Sequence, residues 1–319
     1  MYNEPIFLKP VFQERIWGGD KLQTLFGYDI PNNKTGEAWV ISAHPNGPSE
    51  IVNGPLQGKD LAQAWKEHPE IFGETSSEGD FPLLVKILDA NKDLSVQVHP
   101  NDTYAREVEG ESYGKTECWY VLDCEEGAEI VFGHHAQSAE EFRRMVDSGR
   151  WDKLLRRVKV QKGDFIYVPS GTIHAIGKGI VILETQQSSD ITYRVYDYDR
   201  TDAIGNKREL HIDSAIDVTT YPHKEVNSQH VEKVINDLAS TQLVDDKYFS
   251  VYHWKLDGEV SRKLKSFLLV SVINGKGKVM VEERTFPVQA GDHFVLPSTI
   301  EDYHVEGGME LVVSVPGMY

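Results

Sequence analysis

Four polar side chains between residues 97 and 174 of this 319-residue chain have the types and spacing to meet at one point. The run Leu94-Ser95-Val96-Gln97-Val98-His99 reads as a strand. Side chains two apart on a strand share a face, so Ser95, Gln97 and His99 point together. Glu117 opens the next strand and can face them. His174 closes the set. It follows Gly163-Asp164, which can reverse the chain, the β-branched and aromatic run Phe165-Ile166-Tyr167-Val168, and the turn Pro169-Ser170-Gly171. Taken singly, His99 is a strand-end histidine and Glu117 a solvated charge. Taken together, two imidazoles, a carboxylate and an amide oxygen suit Zn²⁺ or another borderline divalent ion, with a position left for water or substrate.

Charges on otherwise apolar strands are the next signal. Lys86 sits inside Leu83-Leu84-Val85-Lys86-Ile87-Leu88. An unpaired buried ammonium is costly, so it meets an anion or a cavity, or it snorkels out from an edge strand. Lys115 lies two residues before Glu117 and faces the same way if the strand begins early enough. In Thr192-Tyr193-Arg194-Val195-Tyr196, Arg194 projects opposite Tyr193; its guanidinium suits anion binding or charge stabilisation, not base work. Glu184 ends the strand after His174 and is either an acid–base carboxylate or a structural partner for one of these cations. His134-His135 precedes a helix in a loop and is expected to be solvated. His44, His293 and His304 have no partner at a ligand-like spacing.

The elements that must position these groups are mostly strands. Short apolar runs alternate with Gly, Asn and Pro punctuation from residue 6 to 53, and Phe81–Leu88 is a nearly continuous apolar strand. Glu117–Leu122 and Ala128–Phe132 read as a hairpin around Glu125-Glu126-Gly127. Asp60 can cap a helix running to Ile71. Ser138-Ala139-Glu140-Glu141 fits a capping box, with a second helical stretch from Arg150 to Arg157. Residues 201–235 are polar and punctuated, and a domain boundary is expected near their end. Strands are expected at Phe249–Trp254, Phe267–Ile273, Gly277–Val281, His293–Leu296 and Leu311–Val315. One repeat is visible: Gly291-Asp292-His293-Phe294-Val295-Leu296-Pro297-Ser298 lines up with Gly163 to Ser170. Both halves therefore read as barrels of one design. Once one glycine is dropped, Thr299-Ile300-Glu301 matches Thr172-Ile173-His174; with Glu301 in place of the histidine and no counterpart of the earlier donors, the second is expected to hold no metal.

Composition bounds the rest. A formal charge of −17 argues against nucleic-acid or anionic-membrane partners, though a small phosphorylated ligand needs only a local basic cluster. No apolar run approaches the length of a membrane span, and the N-terminus lacks the build of a secretory signal. Two cysteines, Cys118 and Cys124, are too few for a disulfide framework and point to a reducing, cytoplasmic setting. A monomer or weak homodimer is expected.

The pattern G-x5-P-x-G-x2-H from Gly163 to His174 resembles the second motif of the cupins, small β-barrels that hold a metal on inward-pointing side chains. The fold expected is therefore mainly β: two cupin (jelly-roll-like) β-barrels with a small helical insertion. Residues 1–235 would form the metal-binding barrel, with helical segments near 60–71 and 138–157, and residues 236–319 the second barrel. Gln97-Val98-His99-Pro100-Asn101, Lys115-Thr116-Glu117, Pro169–His174 and Ser189-Asp190-Ile191-Thr192-Tyr193-Arg194 resemble, in order, segments of the type I mannose-6-phosphate isomerases, zinc enzymes of that superfamily. Trp17-Gly18, Glu37-Ala38-Trp39 and His44-Pro45 also resemble family sequence. Ile191 stands where the family often has Asn, and the chain is short enough that the large helical domain of longer members is reduced.

The resemblance implies that Gln97, His99, Glu117 and His174 hold one Zn²⁺ and that Arg194 is catalytic. The implied reaction interconverts mannose 6-phosphate and fructose 6-phosphate by proton transfer through an enediol. Lys115 and Glu184 are then the candidates for proton transfer. Lys86 and Ser95 would contact the sugar phosphate, and Trp17 would form an apolar wall. The competing readings are another cupin enzyme, an oxidase or dioxygenase, and a non-catalytic sugar-phosphate binder. Glutamine in place of one histidine disfavours redox iron.

Overall fold

The computed structural model describes residues 2–73, 79–201, 204–226 and 229–317. Its architecture is mainly β, with three sheets that run as open, sandwich-like paths instead of closed barrels. A six-stranded sheet is ordered Phe165–Val168, Glu117–Cys124, Ile180–Gln187, Leu83–Ala90, Thr35–Ile41 and Val11–Gly19. A five-stranded sheet is ordered Tyr193–Tyr196, Val96–Val98, His174–Ala175, Glu129–His134 and Leu155–Lys159. A nine-stranded sheet holds the C-terminal half and, in addition, Ile6–Lys9 and Glu50–Ile51.

The six-stranded sheet is buried on both faces, which is why Leu83–Ala90 reads as an almost unbroken apolar run. One face, with Val85, Ile87, Val181 and Leu183, packs against Phe249, Val251, Leu269, Val295 and Val312 of the nine-stranded sheet. Thr185 and Ser314 share a hydroxyl hydrogen bond of 2.9 Å across the same contact. The other face carries Leu88, Trp119, Val121, Val168, Ile180 and Ile182 into a separate cluster with Trp17, Leu94, Ile130 and Ile176. Trp65, Phe72, Phe81 and Phe267 form an aromatic knot, with ring centroids 5.0–6.4 Å apart, that ties residues on either side of the expected boundary. Strands cross that boundary too. Ile6 pairs with Val295 and Phe7 with Phe294, while Val231–Ile235 already belongs to the nine-stranded sheet.

Local sequence explains the helices and their limits. Asp60 caps Leu61–Glu67 through Gln63 N–H at 2.7 Å, and the Gln63 side chain accepts from Asp60 N–H at 3.0 Å, a complete capping box. The helix stops at Glu67 instead of continuing to Ile71, because the residue before Pro69 is pushed out of the helical region; His68 sits at φ −134° and ψ 58°. Ser138 caps Ala139–Asp147 through Glu141 N–H, but Glu141 Oε2 accepts from Gln137 N–H, so the reciprocal half of the box is displaced by one residue.

Several expectations are corrected. The stretch 150–157 is one turn, Trp151–Leu154, followed by the strand Leu155–Lys159. Glu117–Cys124 and Glu129–His134 are not a hairpin: they lie in different sheets, and the turn near 125–128 carries the chain from one layer to the other. The polar stretch after 201 contains an unforeseen helix, Ile212–Val218, whose Ala215 is fully buried in the cluster behind the five-stranded sheet. Leu268–Val281 is one strand where two were expected.

Candidate metal centre and active-site cavity

Strand register builds the site from two facing rows. In the five-stranded sheet, Gln97 is paired with His174 on one side and Arg194 on the other. In the six-stranded sheet, Glu184 is paired with Lys86 and Trp119, and Lys86 with Trp39. Directly opposed residues on neighbouring strands share a face. The period of two then adds Glu37 to the Trp39 side and Glu117 to the Trp119 side.

His99, Glu117 and His174 come together with one donor atom each, all within 4.8 Å of one another and all buried. His174 Nε2 lies 3.3 Å from Glu117 Oε1, and His99 Nε2 lies 3.6 Å from Glu117 Oε2. His99 Nδ1 is 2.7 Å from the Ile191 carbonyl oxygen, and His174 Nδ1 is 2.8 Å from that of Thr172. These contacts fix both rings and direct both Nε2 atoms at the carboxylate, the outer support that metal-binding histidines use. Ile191 contributes through its main chain, so this contact does not depend on its side chain. Burial pushes His174 down to about 4 and His99 well below its usual range, with the Lys115 charge adding to both. The imidazoles are therefore neutral, the form that binds a metal. Gln97 stands beside the group, its amide Nε2 3.5 Å from His174 Nε2. Apart from the Lys115 ammonium, the buried Glu117 Oε2 has no close hydrogen-bond partner among the described residues. The donor set fits a divalent ion.

Next to these donors lies a cavity of about 450 Å³. Its wall includes Trp17, Lys86, Ser95, Gln97, Lys115, Glu184 and Arg194, every cavity-facing residue expected from sequence. Lys115 Nζ is 2.9 Å from Glu117 Oε2 and 3.3 Å from His99 Nε2. Burial alone would lower the Lys115 pKa, but the Glu117 and Glu184 carboxylates outweigh it and hold it raised. Glu184, 3% exposed, accepts from Trp119 Nε1 at 3.0 Å and sits 3.8 Å from Lys86 Nζ. Burial, with the negative charge of Glu117 behind it, raises its pKa. Lys86 is not an edge residue: its strand is interior, its amine lies 4.7 Å from the Trp39 ring centre, and burial lowers its pKa.

The sequence reading missed Arg15, Glu37, Trp39 and Arg208 in the cavity wall. Glu37 accepts from Trp39 Nε1 at 2.7 Å and from Arg15 Nε at 2.8 Å. Burial opposes its ionisation, but Lys86 and Arg15 overcome this and hold the Glu37 carboxyl down at about 2. The period-two spacing of Arg15 with Trp17, and of Glu37 with Trp39, was the available signal. Two histidine expectations are corrected. His134 is 3% exposed, with its Nε2 3.0 Å from the Thr220 carbonyl. His304 stands beside Glu259 and Glu306 in a group at the surface of the C-terminal sheet.

A mainly β, sandwich-like fold with a buried His–Glu–His cluster between two of its sheets is that of a cupin protein. Residues 6–133 match the family described as "Phosphomannose isomerase type I, catalytic domain", and residues 239–316 match "Mannose-6-phosphate isomerase, cupin domain". The chain is 53% identical over 317 residues to the mannose-6-phosphate isomerase ManA of Bacillus subtilis, covering 98% of this chain and 99% of that protein. It is 52% identical to the mannose-6-phosphate isomerase of Streptococcus mutans, covering 98% of each. A crystal structure of the mannose 6-phosphate isomerase from Bacillus subtilis superposes with a TM-score of 0.95 at 50% identity, over 98% of this chain and 99% of that one. This chain belongs to the type I phosphomannose isomerase family and is an enzyme of that kind.

Proposed function

We propose that the protein interconverts D-mannose 6-phosphate and D-fructose 6-phosphate, moving a proton between C1 and C2 through an enediol. Gln97, His99, Glu117 and His174 would hold one divalent ion, for which zinc suits the donors. The carrying observation is that three donors from separate segments of the chain converge within 4.8 Å beside a cavity of sugar-phosphate size.

When bound, the ion supplies Lewis-acid stabilisation of negative charge on the sugar oxygens. The chain's residues do the rest. Glu184 is the better placed of the two proton-transfer candidates. It lines the cavity, is held by the Trp119 N–H, and has Lys86 3.8 Å away to exchange a proton with. Positioned acid–base help of this kind is worth about 10²–10⁴-fold. Lys115 is tied to Glu117 and His99, so its ammonium steadies the donor cluster and adds positive charge beside the enediol oxygens. Arg194 adds a charge that cannot be titrated away. Trp17 offers an apolar wall, and Ser95 and Lys86 offer donors to the sugar hydroxyls. The free thiols of Cys118 and Cys124 suit the cytoplasm.

A coupled assay with mannose 6-phosphate tests the reading. Turnover that falls on chelation and returns with added zinc is expected. Undiminished turnover by the chelated enzyme would exclude a Lewis-acid role.

A further inference from the structure

The cavity is electrically lopsided. Its deep wall carries the carboxylates Glu37 and Glu184, with Glu117 behind them, partnered by Lys86, Lys115 and Arg15. Another part of the wall carries Arg194 and Arg208, together with Asp190, which is engaged by Asn46 Nδ2 at 2.6 Å and lies 3.8 Å from His44 Nε2. Asp197, whose side chain is only 5% exposed, accepts from Arg208 Nε at 2.8 Å and Nη2 at 2.6 Å. The same carboxylate also binds Arg200. One aspartate thus serves two guanidiniums, and Arg194 adds a third positive charge. Arg194 Nη1 donates to the Glu209 main-chain oxygen at 2.8 Å, while its buried Nε has no partner among the described residues. The exposed Glu209 carboxylate is the further acidic group acting on Arg194.

Partly buried positive charge without enough counter-charge is costly unless an anion completes it. In a chain with a formal charge of −17, such a surplus beside a cavity is not an average of composition. The fork of Arg208 is set by two bonds to Asp197, and its Nη1 has no hydrogen-bond partner among the described residues. Pre-set guanidiniums are the side chains best matched to phosphate oxygens.

We propose that Arg208, positioned by Asp197, reads the phosphate of the substrate, with Arg194 beside it. This rests on the sugar-phosphate reading above. It orients the ligand with its reacting carbons toward the donor cluster, where each carboxylate already has a cationic partner, and its phosphate at the arginines.

The test compares the wild type with Arg208→Ala, Arg208→Lys and Asp197→Asn. It measures steady-state isomerisation of mannose 6-phosphate and, separately, binding of inorganic phosphate by calorimetry. Loss of binding made equally in ground and transition states raises KM and spares kcat, so Arg208→Ala should raise KM about tenfold or more with kcat within about threefold. Inorganic phosphate should bind it correspondingly more weakly. Arg208→Lys should recover part of the loss, and Asp197→Asn should fall between. An unchanged KM and unchanged phosphate affinity in Arg208→Ala would overturn the assignment, as would a fall in kcat at constant KM. If the wild type does not isomerise mannose 6-phosphate, the functional reading falls. Phosphate binding that is lost in Arg208→Ala would still support the anion site, and binding that is retained would overturn it.

Discussion

The two halves of the molecule repeat one backbone device and fill it differently. Gly163 and Gly291 both take φ near 90°, at 90° and 95°. Asp164 Oδ2 accepts from Gln161 N–H at 2.9 Å, and Asp292 Oδ2 accepts from Gln289 N–H at 2.8 Å. After the strand, Thr172 N–H donates to the Pro169 oxygen at 3.2 Å, and Ile300 N–H to the Pro297 oxygen at 3.1 Å. The contrast is in the side chains. Val168 is paired with Glu117, whereas its counterpart Leu296 is paired with Leu268. Where the first half buries His174, the second exposes Glu301. Two positions convert a donor pair into an apolar residue and a solvated charge, on a frame that differs by the one glycine, Gly171, missing from the second turn. A fold supplies places for chemistry, and the residues at those places decide whether there is any.

The sharpest way to break this comparison is to exchange effects between the halves. His174→Ala or Glu117→Gln should lower kcat by more than about 10³-fold and abolish stoichiometric metal uptake. Leu268→Ala and Glu301→Ala should leave both unchanged, as read by the coupled assay and elemental analysis. Comparable losses from both sets would erase the distinction. Glu184→Gln should cost about 10²-fold in kcat while metal content stays at the wild-type level. Loss of metal in that variant would reassign Glu184 to supporting the centre.

The remaining predictions concern the second half as structure. Phe267→Ala, at the knot joining the halves, should destabilise the protein by about 3–5 kcal/mol in urea unfolding. A value near zero would mean that the halves do not share a core. His293 is buried, 2.8 Å from Ser271 Oγ and 2.6 Å from Tyr28 Oη, and burial pushes its pKa down to about 3. The folded form therefore refuses a proton that the unfolded chain takes up below its ordinary value of 6.5. Stability from this group is whole above that value and is lost as pH falls toward 3, at up to about 1.4 kcal/mol per pH unit. His293→Gln should flatten that slope; an identical acid profile in the variant would remove His293 as its source. Smallest of all, Asp60→Ala should cost about 1 kcal/mol through the lost cap of Leu61–Glu67.

How far the sequence carried these conclusions depended on how local each signal was. Gln97 and His99 were legible because a period of two is a local rule, and His174 because four turn and strand residues fall in register before it. The repeat at Gly291 was legible for the same reason, and strand burial followed from apolar runs. Pairing was not legible. Glu117–Cys124 and Glu129–His134 look like a hairpin because both flank a turn, and only packing against other strands sends them into separate sheets. Ile6–Lys9 joins the far end of the chain for reasons that lie entirely at residues 294 and 295. Arg208 left no signal because it sits in a polar stretch, and its meaning comes from Asp197, eleven residues earlier, and from a cavity built by other segments. The Ile212–Val218 helix was hidden by having a single fully buried residue.

The central claim is that one metal centre, in the first half alone, carries the isomerisation. Its most direct test is to strip the enzyme with a chelator and titrate zinc back while following conversion of mannose 6-phosphate to fructose 6-phosphate. The account predicts activity that rises linearly and saturates at one ion per chain. Full activity before any ion is added, or saturation only at two, would contradict it.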